Sequence, residues 1–297
     1  MKGMIASISR LRTHDGDGLR TTVFFKGCAL RCVWCHNPET FRMVREIEVH
    51  NKKCVHCASC VTACKSGALS HNGGTITFDR SVCTACGNCA QICPTEARAI
   101  IGETWEADAL ARCLSEDKPF FDNGGGVTLS GGECLLQADF AAEVARLLGD
   151  MGISVYVDTC GFVSKDAFDK IMPFTDKFLY DIKAIDDVVH KKCTGQSNEQ
   201  ILKNLDYILS RGAKVEVRYP LVPEHNDGEA HRIGEFLKGK GIEKIKVLAY
   251  HDLARSKYLA LGLSDTMPAV PSPTYEQIES VANILRNYGL NVINGLE

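Results

Sequence analysis

Residues 27–38, GCALRCVWCHNP, hold three cysteines with three and then two residues between them: Cys28, Cys32 and Cys35. A tryptophan stands directly before the last cysteine. Four cysteines would provide one ligand for each iron of a four-iron cubane, whereas three leave one iron without a protein ligand. An open coordination position is typical of a metal site that binds a reactant. The triplet therefore predicts a cluster with one free iron, and a structural zinc site with a distant fourth ligand is the alternative.

Two further cysteine runs lie downstream, at residues 54–64 (CVHCASCVTAC) and 83–94 (CTACGNCAQICP). Both follow the spacing C-x2-C-x2-C-x3-C and repeat with a period of 29 residues. In bacterial ferredoxins with this spacing, the fourth cysteine of each run binds the cluster of the other run. The crossed pattern predicts two [4Fe–4S] clusters, one held by Cys54, Cys57, Cys60 and Cys93, the other by Cys83, Cys86, Cys89 and Cys64. Residues 49–98 should then form a ferredoxin-like insert, whose clusters either relay electrons or have a purely structural role.

The composition is that of a soluble globular protein. Its 297 residues are 45% hydrophobic and 24% charged, with a net charge of -3, which offers no global attraction to nucleic acid or to an anionic membrane. Residues 1–53 are locally basic, with ten Lys/Arg against five Asp/Glu, either near an anionic ligand or cluster or as a solvated face. No apolar run reaches the ~18 residues of a membrane span. No signal peptide is recognisable either, so a cytoplasmic location is expected.

Fifteen cysteines in a cytoplasmic chain predict metal ligation, because the cytosol keeps thiols reduced. Eleven of them belong to the three groups above. The other four are isolated and are expected to be small, buried or half-buried residues: Cys113, Cys134, Cys160 and Cys193.

Outside the insert, helical and strand patterns alternate along residues 1–48 and 99–297, which predicts one α/β unit with a parallel sheet. In such folds the chemistry collects at the carboxyl ends of the strands. Six predicted strands lead to residues suited to binding or chemistry: Cys28, Gly131, Asp158, Asp181, Arg218 and His251. Too few units are present for a closed eight-stranded barrel, so a partial barrel with one shared site is expected.

The three-cysteine motif with its preceding aromatic residue resembles the signature of the radical S-adenosylmethionine (SAM) family. Over nearly its whole length the chain also resembles the glycyl radical enzyme activating enzymes. That resemblance is carried by HDGDGLRTTVFFKGC (14–28) and by five later segments: 122–140, 157–163, 179–183, 217–223 and 249–262. It implies a partial (β/α)6 radical SAM barrel that carries the insert. It also implies a [4Fe–4S] cluster whose free iron binds SAM, and hence three clusters per chain.

The reaction implied by the resemblance is the activation of a partner glycyl radical enzyme. SAM is cleaved reductively to methionine and a 5′-deoxyadenosyl radical, and that radical abstracts a hydrogen atom from a glycine Cα of the partner. Flavodoxin or ferredoxin is the expected electron donor, and the activator is expected to be a monomer. The alternatives are a radical SAM enzyme acting on a small molecule or on anaerobic ribonucleotide reductase, and a non-enzymatic electron carrier. Intact motifs disfavour the carrier, and the DGDG and GGGVTLSGGE segments favour the activator.

The resemblance also assigns individual residues. It implies that Cys28, Cys32, Cys35 and Lys183 are the catalytic residues. Lys183 would place its positive charge beside the SAM carboxylate. SAM contacts fall to Trp34, Cys35, His36, Gly131, Gly132, Glu133, Asp181, Ile182, Lys183, Arg218 and His251. A Na+ or K+ ion would bind Asp158, Thr159, Asp181 and the Leu179 carbonyl, because hard oxygen ligands suit such cations. The structural alternatives are Trp34 as a core residue, and Asp181 with Lys183 as an ion pair closing the barrel end.

The turn THDGDGLRT (13–21) precedes the first predicted strand of the barrel. Activating enzymes of this kind usually read Asp-Gly-Pro-Gly here, so Asp17 stands at the position of the proline. Glycines flanking an acid favour a tight turn whose backbone can lie close to a ligand. Since the segment leads to Cys28, the turn should border the mouth of the barrel, where Asp15 would contact the partner's glycine loop. An Asx turn, in which Asp15 caps its own backbone, is the alternative.

Overall fold

Strands and helices alternate along most of the chain in the computed structural model, which describes residues 1–267 and 270–295. Within these ranges the strands are β1 (Lys2–Arg12), β2 (Arg20–Phe25), β3 (Glu46–Val49), β4 (Leu69–Asn72), β5 (Thr75–Phe78), β6 (Arg98–Ile101), β7 (Glu103–Glu106), β8 (Gly126–Gly131), β9 (Ser154–Thr159), β10 (Lys177–Asp181), β11 (Val215–Leu221), β12 (Lys244–Ala249) and β13 (Val292–Asn294). The α-helices are α1 (Ser59–Ala63), α2 (Asn88–Gln91), α3 (Ala107–Ser115), α4 (Ala138–Asp150), α5 (Lys165–Ile171), α6 (Asp187–Thr194), α7 (Glu199–Ser210), α8 (Ala230–Leu237), α9 (Arg255–Leu261) and α10 (Tyr275–Asn287).

Nine strands form one sheet in the order β13-β12-β11-β10-β9-β8-β2-β1-β7. The strands from β13 to β2 run parallel, and β1 and β7 are antiparallel additions at one end. Six of the parallel strands, β2 and β8 to β12, are those predicted, which confirms the partial barrel. The long strand β1 was not predicted, and it pairs with β2 despite register shifts between Ile5 and Ser7 and between Ser9 and Arg12.

The helices bury one apolar face against this sheet. In α4, Phe140, Val144 and Leu148 recur at helical spacing, and each is at most 3% exposed. Burying a side chain of this size stabilises the fold by about 1.5–3 kcal/mol. On the solvent side of the same helix, Arg146 pairs with Glu143. None of the helices in the described ranges has the length and apolar character that crossing a membrane requires.

The insert is joined to the barrel through the antiparallel pair of β3 and β6, in which Val49 lies opposite Arg98. It contains the short helices α1 and α2 and the hairpin β4–β5, which turns at the dipeptide Gly73-Gly74. Arg80 ties it to the barrel by donating hydrogen bonds to the carbonyls of Ile47 (2.7 Å) and Ala260 in α9 (2.6 Å). Its buried apolar core is small and consists of Ile47, Cys60, Leu69 and Cys89. A core of this size fits a domain that metal clusters help to stabilise.

The turn that precedes β2 lies inside the barrel and not at its mouth, which corrects the position expected from the sequence. The Asp15 carboxylate accepts a hydrogen bond from Thr22 (2.7 Å), and the Asp15 carbonyl accepts one from Thr128 (2.7 Å). Both threonines are the third residues of their strands, β2 and β8, and so lie before the carboxyl ends. Arg12 lies 3.6 Å from the same carboxylate. In the described part of the chain, Asp15 therefore bonds to a strand hydroxyl and does not form the Asx turn.

Asp17 holds this turn against the amino-terminal parts of three strands. Its carboxylate accepts hydrogen bonds from Tyr156 (2.9 Å) on β9, Lys177 (2.7 Å) at the start of β10 and Lys244 (2.9 Å) at the start of β12. Although partial burial acts in the opposite direction, these bonds hold the pKa of Asp17 well below its usual range. A proline could make none of these contacts. The departure from the family pattern therefore replaces a rigid turn residue with an ionic anchor across the barrel floor.

Asp17→Asn should destabilise the protein by about 1 kcal/mol at neutral pH, because the amide is uncharged and Asp17 is 39% exposed to screening solvent. The lowered folded-state pKa means that this contribution is complete above the unfolded pKa of about 3.9 and is lost as the pH falls through the folded value. The difference in urea unfolding free energy from wild type should therefore be constant from about pH 6 to 8 and shrink below about pH 4. Asp122→Asn, in the adjoining exposed loop, is the control. If the difference in unfolding free energy between Asp17→Asn and wild type did not change with pH, the ionic role of Asp17 would be contradicted.

Candidate active site

A cavity of about 650 Å³ opens at the carboxyl ends of the parallel strands. Its volume is typical of a site for a small-molecule ligand. The six strand-end residues singled out in the sequence all line it: Cys28, Gly131, Asp158, Asp181, Arg218 and His251. The fold thus brings together residues that are spread over most of the chain.

All three cysteines of the N-terminal motif line this cavity. Their loop is held by backbone hydrogen bonds from Arg31 to the Thr194 carbonyl (2.8 Å) and from Val33 to the Cys193 carbonyl (2.9 Å). Burial raises the pKa of Cys32 to about 12, so a metal that binds there must displace a proton. The loop therefore presents three half-buried thiols to the cavity.

The donor set fits an iron–sulfur cluster better than a single ion. Within residues 1–267 and 270–295, no three His, Cys, Asp or Glu side chains converge closely enough to hold one metal ion. A mononuclear zinc site is thus not preformed. Thiolates distributed around a cavity are the ligands that iron–sulfur clusters use, so the three cysteines match the predicted cluster.

The Gly-Gly turn after β8 packs against the backbone that leads to Cys28. Gly131 has φ +115°, and a Cβ at this position would lie 2.2 Å from the Phe25 nitrogen. A Cβ on Gly132 would lie 2.3 Å from the Gly27 oxygen. Gly132 also donates a backbone hydrogen bond to the Phe25 carbonyl (3.0 Å). Both glycines line the cavity, and only glycine permits this close approach of two backbones.

Glu133 belongs to the Gly-Gly-Glu segment whose backbone is predicted to contact SAM, and its side chain lies behind the cavity wall. It is fully buried and is absent from the cavity lining. Its carboxylate accepts hydrogen bonds from the backbone of Leu135 (3.1 Å) and Cys160 (2.9 Å) and from the Thr159 hydroxyl (2.9 Å). Burial raises the pKa of Glu133 against the effect of these bonds. The side chain joins the ends of β8 and β9, because its backbone neighbours turn it away from the cavity.

Asp181 and Lys183 both line the cavity, as predicted for residues two apart at a strand end. The Lys183 Nζ lies 2.6 Å from Asp181 Oδ2. Burial acts to lower the pKa of Lys183, but the Asp181 carboxylate raises it overall. Lys183 is therefore a firmly charged ammonium at 7% exposure. Ile182, between them, is 1% exposed and packs into the barrel core without lining the cavity.

Three of the four residues of the predicted cation site line the cavity: Asp158, Thr159 and Asp181. Asp158 accepts a hydrogen bond from Ser130 (2.7 Å). Burial raises the pKa of Asp158 to about 6, against the opposing effect of Arg218. The Thr159 hydroxyl is engaged by Glu133, as described above. Leu179 lies within β10, paired on both sides, and does not line the cavity.

Two stacked histidines form another part of the lining. The rings of His36 and His251 lie 3.9 Å apart, and His36 Nε2 is 2.8 Å from the His251 carbonyl oxygen. Burial lowers the pKa of His36 to about 4, so its ring is neutral near pH 7. Trp34 lines the cavity and also packs in an apolar cluster with four other buried residues: Cys193, Val222, Tyr250 and Met267. It is thus both a core residue and a wall of the site.

Arg218 supplies a second buried cation, 6% exposed. Its Nη1 lies 3.6 Å from Asp158, and its Nη2 donates to the His14 carbonyl (3.2 Å). Its Nε is buried and makes no hydrogen bond among the described residues, although it lies 3.7 Å from Oε1 of the buried Glu216. An unsatisfied donor beside a cavity fits an anionic ligand group such as a carboxylate.

Sequence reasoning missed several lining residues of the cavity, and Cys160 is the one closest to the cysteine motif in chemistry. It is buried, as expected for an isolated cysteine, yet it lines the cavity and its thiol contacts the Cys28 thiol. Its position directly after Asp158 and Thr159, at the end of β9, was the available signal. The three other isolated cysteines are buried or half-buried and do not line the cavity.

In the insert, the first predicted ligand set surrounds one small void of about 20 Å³: Cys54, Cys57, Cys60 and Cys93. In the second set, Cys64, Cys83 and Cys89 belong to the insert's apolar cluster, whereas Cys86 is exposed. The position of Cys93 beside the first cysteine run fits the crossed ligand pattern, which stays a prediction.

The comparisons with known proteins also distinguish the barrel from the insert. Two family models match the chain: the radical SAM superfamily over residues 93–237 and a 4Fe-4S dicluster domain over residues 53–97. The chain is 34% identical to the trans-4-hydroxy-L-proline dehydratase activating enzyme of Clostridioides difficile over 98% of both chains. It is 36% identical to the choline trimethylamine-lyase activating enzyme of Oleidesulfovibrio alaskensis, covering 98% of this chain and 97% of that one.

Among solved structures, Streptococcus suis SuiB bound to precursor peptide SuiA has a TM-score of 0.54, covering 90% of this chain and 46% of that one. At 13% identity, this likeness concerns the fold alone. The two activating enzymes, by contrast, match this chain at more than 30% identity over nearly its full length. The chain therefore belongs to the radical SAM superfamily and, within it, to the activating enzymes of glycyl radical enzymes.

Proposed function

We propose that this protein installs a glycyl radical on a partner enzyme by reductive cleavage of SAM. The observation that carries the proposal is the single cavity in which three cysteines meet the buried Lys183, which pairs with Asp181, and the buried guanidinium of Arg218. Relatives named as activating enzymes support the reaction class. Their similar identities, 34% and 36%, do not single out one partner.

A [4Fe–4S] cluster held by Cys28, Cys32 and Cys35 supplies, when bound, the electron that cleaves SAM into methionine and a 5′-deoxyadenosyl radical, which takes a hydrogen atom from a glycine Cα of the partner. The residues of the chain bind SAM and orient it. Lys183 presents an ammonium group to the SAM carboxylate, and the guanidinium of Arg218 offers a second cation. Trp34 and the His36–His251 stack provide flat aromatic walls for the adenosine part.

We further propose three [4Fe–4S] clusters per chain, two of them in the insert, and a Na+ or K+ ion between Asp158 and Asp181. Two carboxylates on neighbouring strands support the cation, since hard oxygen ligands suit it. In the proposal the insert relays electrons from flavodoxin or ferredoxin to the SAM site. The protein acts as a cytoplasmic monomer that binds no nucleic acid.

The test is anaerobic incubation of the reconstituted protein with SAM, a reductant and a partner isolated by pull-down from anaerobic extract. Methionine and 5′-deoxyadenosine should form in equal amounts, and the partner should gain the EPR signal of a glycyl radical. Formation of 5′-deoxyadenosine with transfer of hydrogen from a small molecule, and no radical on any partner, would overturn the activase proposal.

Asp15 is proposed to contact the partner's glycine loop. Its carboxylate is 20% exposed and lines the same cavity as Cys28. Because the turn lies inside the barrel, the glycine loop would have to enter the cavity to reach it. An extended loop has free backbone N–H donors, and a carboxylate is a strong acceptor for them.

Asp15→Asn should leave uncoupled SAM cleavage near wild type but slow glycyl radical formation by up to about 100-fold, equivalent to about 3 kcal/mol for a lost charge-assisted bond. The two rates are measured side by side, as 5′-deoxyadenosine without partner and as EPR signal with partner. Thr22→Val, which removes only the hydroxyl donor to Asp15, is the control for disturbance of the turn. Equal loss of both activities with a lower melting temperature would point to a structural role.

A further inference from the structure

We propose that a basic groove on the insert is the docking surface for a small acidic one-electron carrier, and that electrons enter through the cluster beside it. The groove has a volume of about 580 Å³, and its lining includes Arg45, His50, Lys53, Cys86, Glu96 and Arg98. Cys86 belongs to the second predicted ligand set and is exposed. This inference rests on the proposed function, because it requires clusters in the insert that relay electrons.

The groove carries positive charge, although one lining residue, His50, lies 3.4 Å from a carboxylate oxygen of Glu48. Arg45 and Lys53 are exposed, and neither makes an ion pair with any residue of the described ranges. Glu96 is the one carboxylate in the lining. The imbalance extends over the insert, where residues 49–98 contain five Lys/Arg and two Asp/Glu, although the whole chain has a net charge of -3. A positive patch on a negative protein selects and orients an acidic partner.

Arg98 places a buried positive charge at the floor of the groove. It is 5% exposed, and its Nη1 has no hydrogen-bond partner among the described residues. Arg98 lines both the groove and the void surrounded by the first ligand set. A buried cation without a partner is unfavourable unless negative charge lies nearby. Thiolate-bound clusters inside and an acidic carrier outside would both supply that charge.

The location of the groove selects an electron carrier over the glycyl radical enzyme. The partner's glycine must reach the cavity that holds Cys28, and no residue lines both that cavity and the groove. An electron carrier needs only a short distance to a cluster, and the exposed Cys86 is part of the groove wall. Flavodoxins and ferredoxins of acidic surface have the required chemistry.

The test is anaerobic stopped-flow reduction of the reconstituted protein by flavodoxin hydroquinone, followed by the loss of cluster absorbance. The double variant Arg45→Glu with Lys53→Glu should lower the second-order rate constant at least tenfold at low salt. The loss should diminish as ionic strength rises, because salt screens exposed charges. The matched control is Lys52→Glu, since Lys52 is the exposed neighbour of Lys53 and does not line the groove. It should change the rate little.

Reduction by dithionite distinguishes a variant that fails to bind the carrier from a variant that fails to assemble its clusters. Dithionite is a small reductant, so all variants should be reduced by it at the wild-type rate. If the charge reversals lower the iron content, the neutral pair Arg45→Gln with Lys53→Gln should still slow flavodoxin, by a smaller factor. A flavodoxin rate equal to wild type, or an equal loss in Lys52→Glu, would overturn the docking site. Failure of the proposed function is distinct, because the wild type would then form no 5′-deoxyadenosine with dithionite.

Discussion

Cys32→Ala is expected to abolish SAM cleavage while leaving both clusters of the insert in place. Cys32 is one of only three motif cysteines at the cavity, and alanine would leave that cluster with two protein ligands. After anaerobic reconstitution the iron content should fall from about twelve to about eight per chain, since each [4Fe–4S] cluster contains four irons. Formation of 5′-deoxyadenosine with dithionite, quantified by chromatography, should fall to the level of protein without iron.

Two other cysteines provide the comparisons. Cys193→Ala removes a thiol that is 1% exposed, but it keeps the carbonyl that holds Val33. It should retain about twelve irons and SAM cleavage. Cys57→Ala should lose iron from the insert and still cleave SAM with a strong chemical reductant. If it lost that activity too, the insert would be required for the structure of the barrel. A wild-type plateau near about four irons would show that the crossed-ligand prediction is wrong.

Glu133→Ala should lower the free energy of unfolding by about 3–5 kcal/mol, because the change leaves three buried donors without an acceptor. These donors are the backbone N–H groups of Leu135 and Cys160 and the hydroxyl of Thr159. Glu133→Gln keeps one side-chain oxygen as an acceptor, so its effect should be smaller. Anaerobic urea unfolding followed by circular dichroism measures both variants.

The control for Glu133 is Glu143→Ala on the solvent side of α4, where solvent screens the exposed ion pair with Arg146 and the change should alter stability little. The two interpretations of Glu133 predict different results. A structural bond between β8 and β9 predicts lost stability. If Glu133→Ala instead unfolded like wild type and lost affinity for SAM, the contact expected from the sequence would be right and the structural role wrong.

The sequence pattern predicted the parallel strands and their convergence well, because both depend on local rules. Apolar spacing within α4 and turn residues such as the Gly-Gly dipeptide of the insert are local signals. The carboxyl ends of neighbouring parallel strands must lie at one edge, which is why Asp158, Asp181 and Arg218 share a cavity. The cysteine spacing likewise reflects the geometry of a cluster, which the chain must match.

These local rules do not predict the direction in which an individual side chain points. Asp17 bonds to Lys177 and Lys244, which lie 160 and 227 positions away, and no local pattern indicates such contacts. These bonds draw the turn into the barrel, so Asp15 lies deeper than expected. Glu133 differs for a related reason, since the approach of Gly131 and Gly132 to β2 decides where the next side chain points.

The pairing of Val49 with Arg98 means that the insert begins and ends at one point of the barrel. Residues directly opposite each other in an antiparallel ladder have Cα atoms about 4.5–5.5 Å apart, a gap that a tight turn can close. A gene could therefore gain, lose or exchange the whole segment without altering the strand order of the barrel. Activators that share one radical-generating barrel could in this way adapt separately to the electron supplies of different organisms.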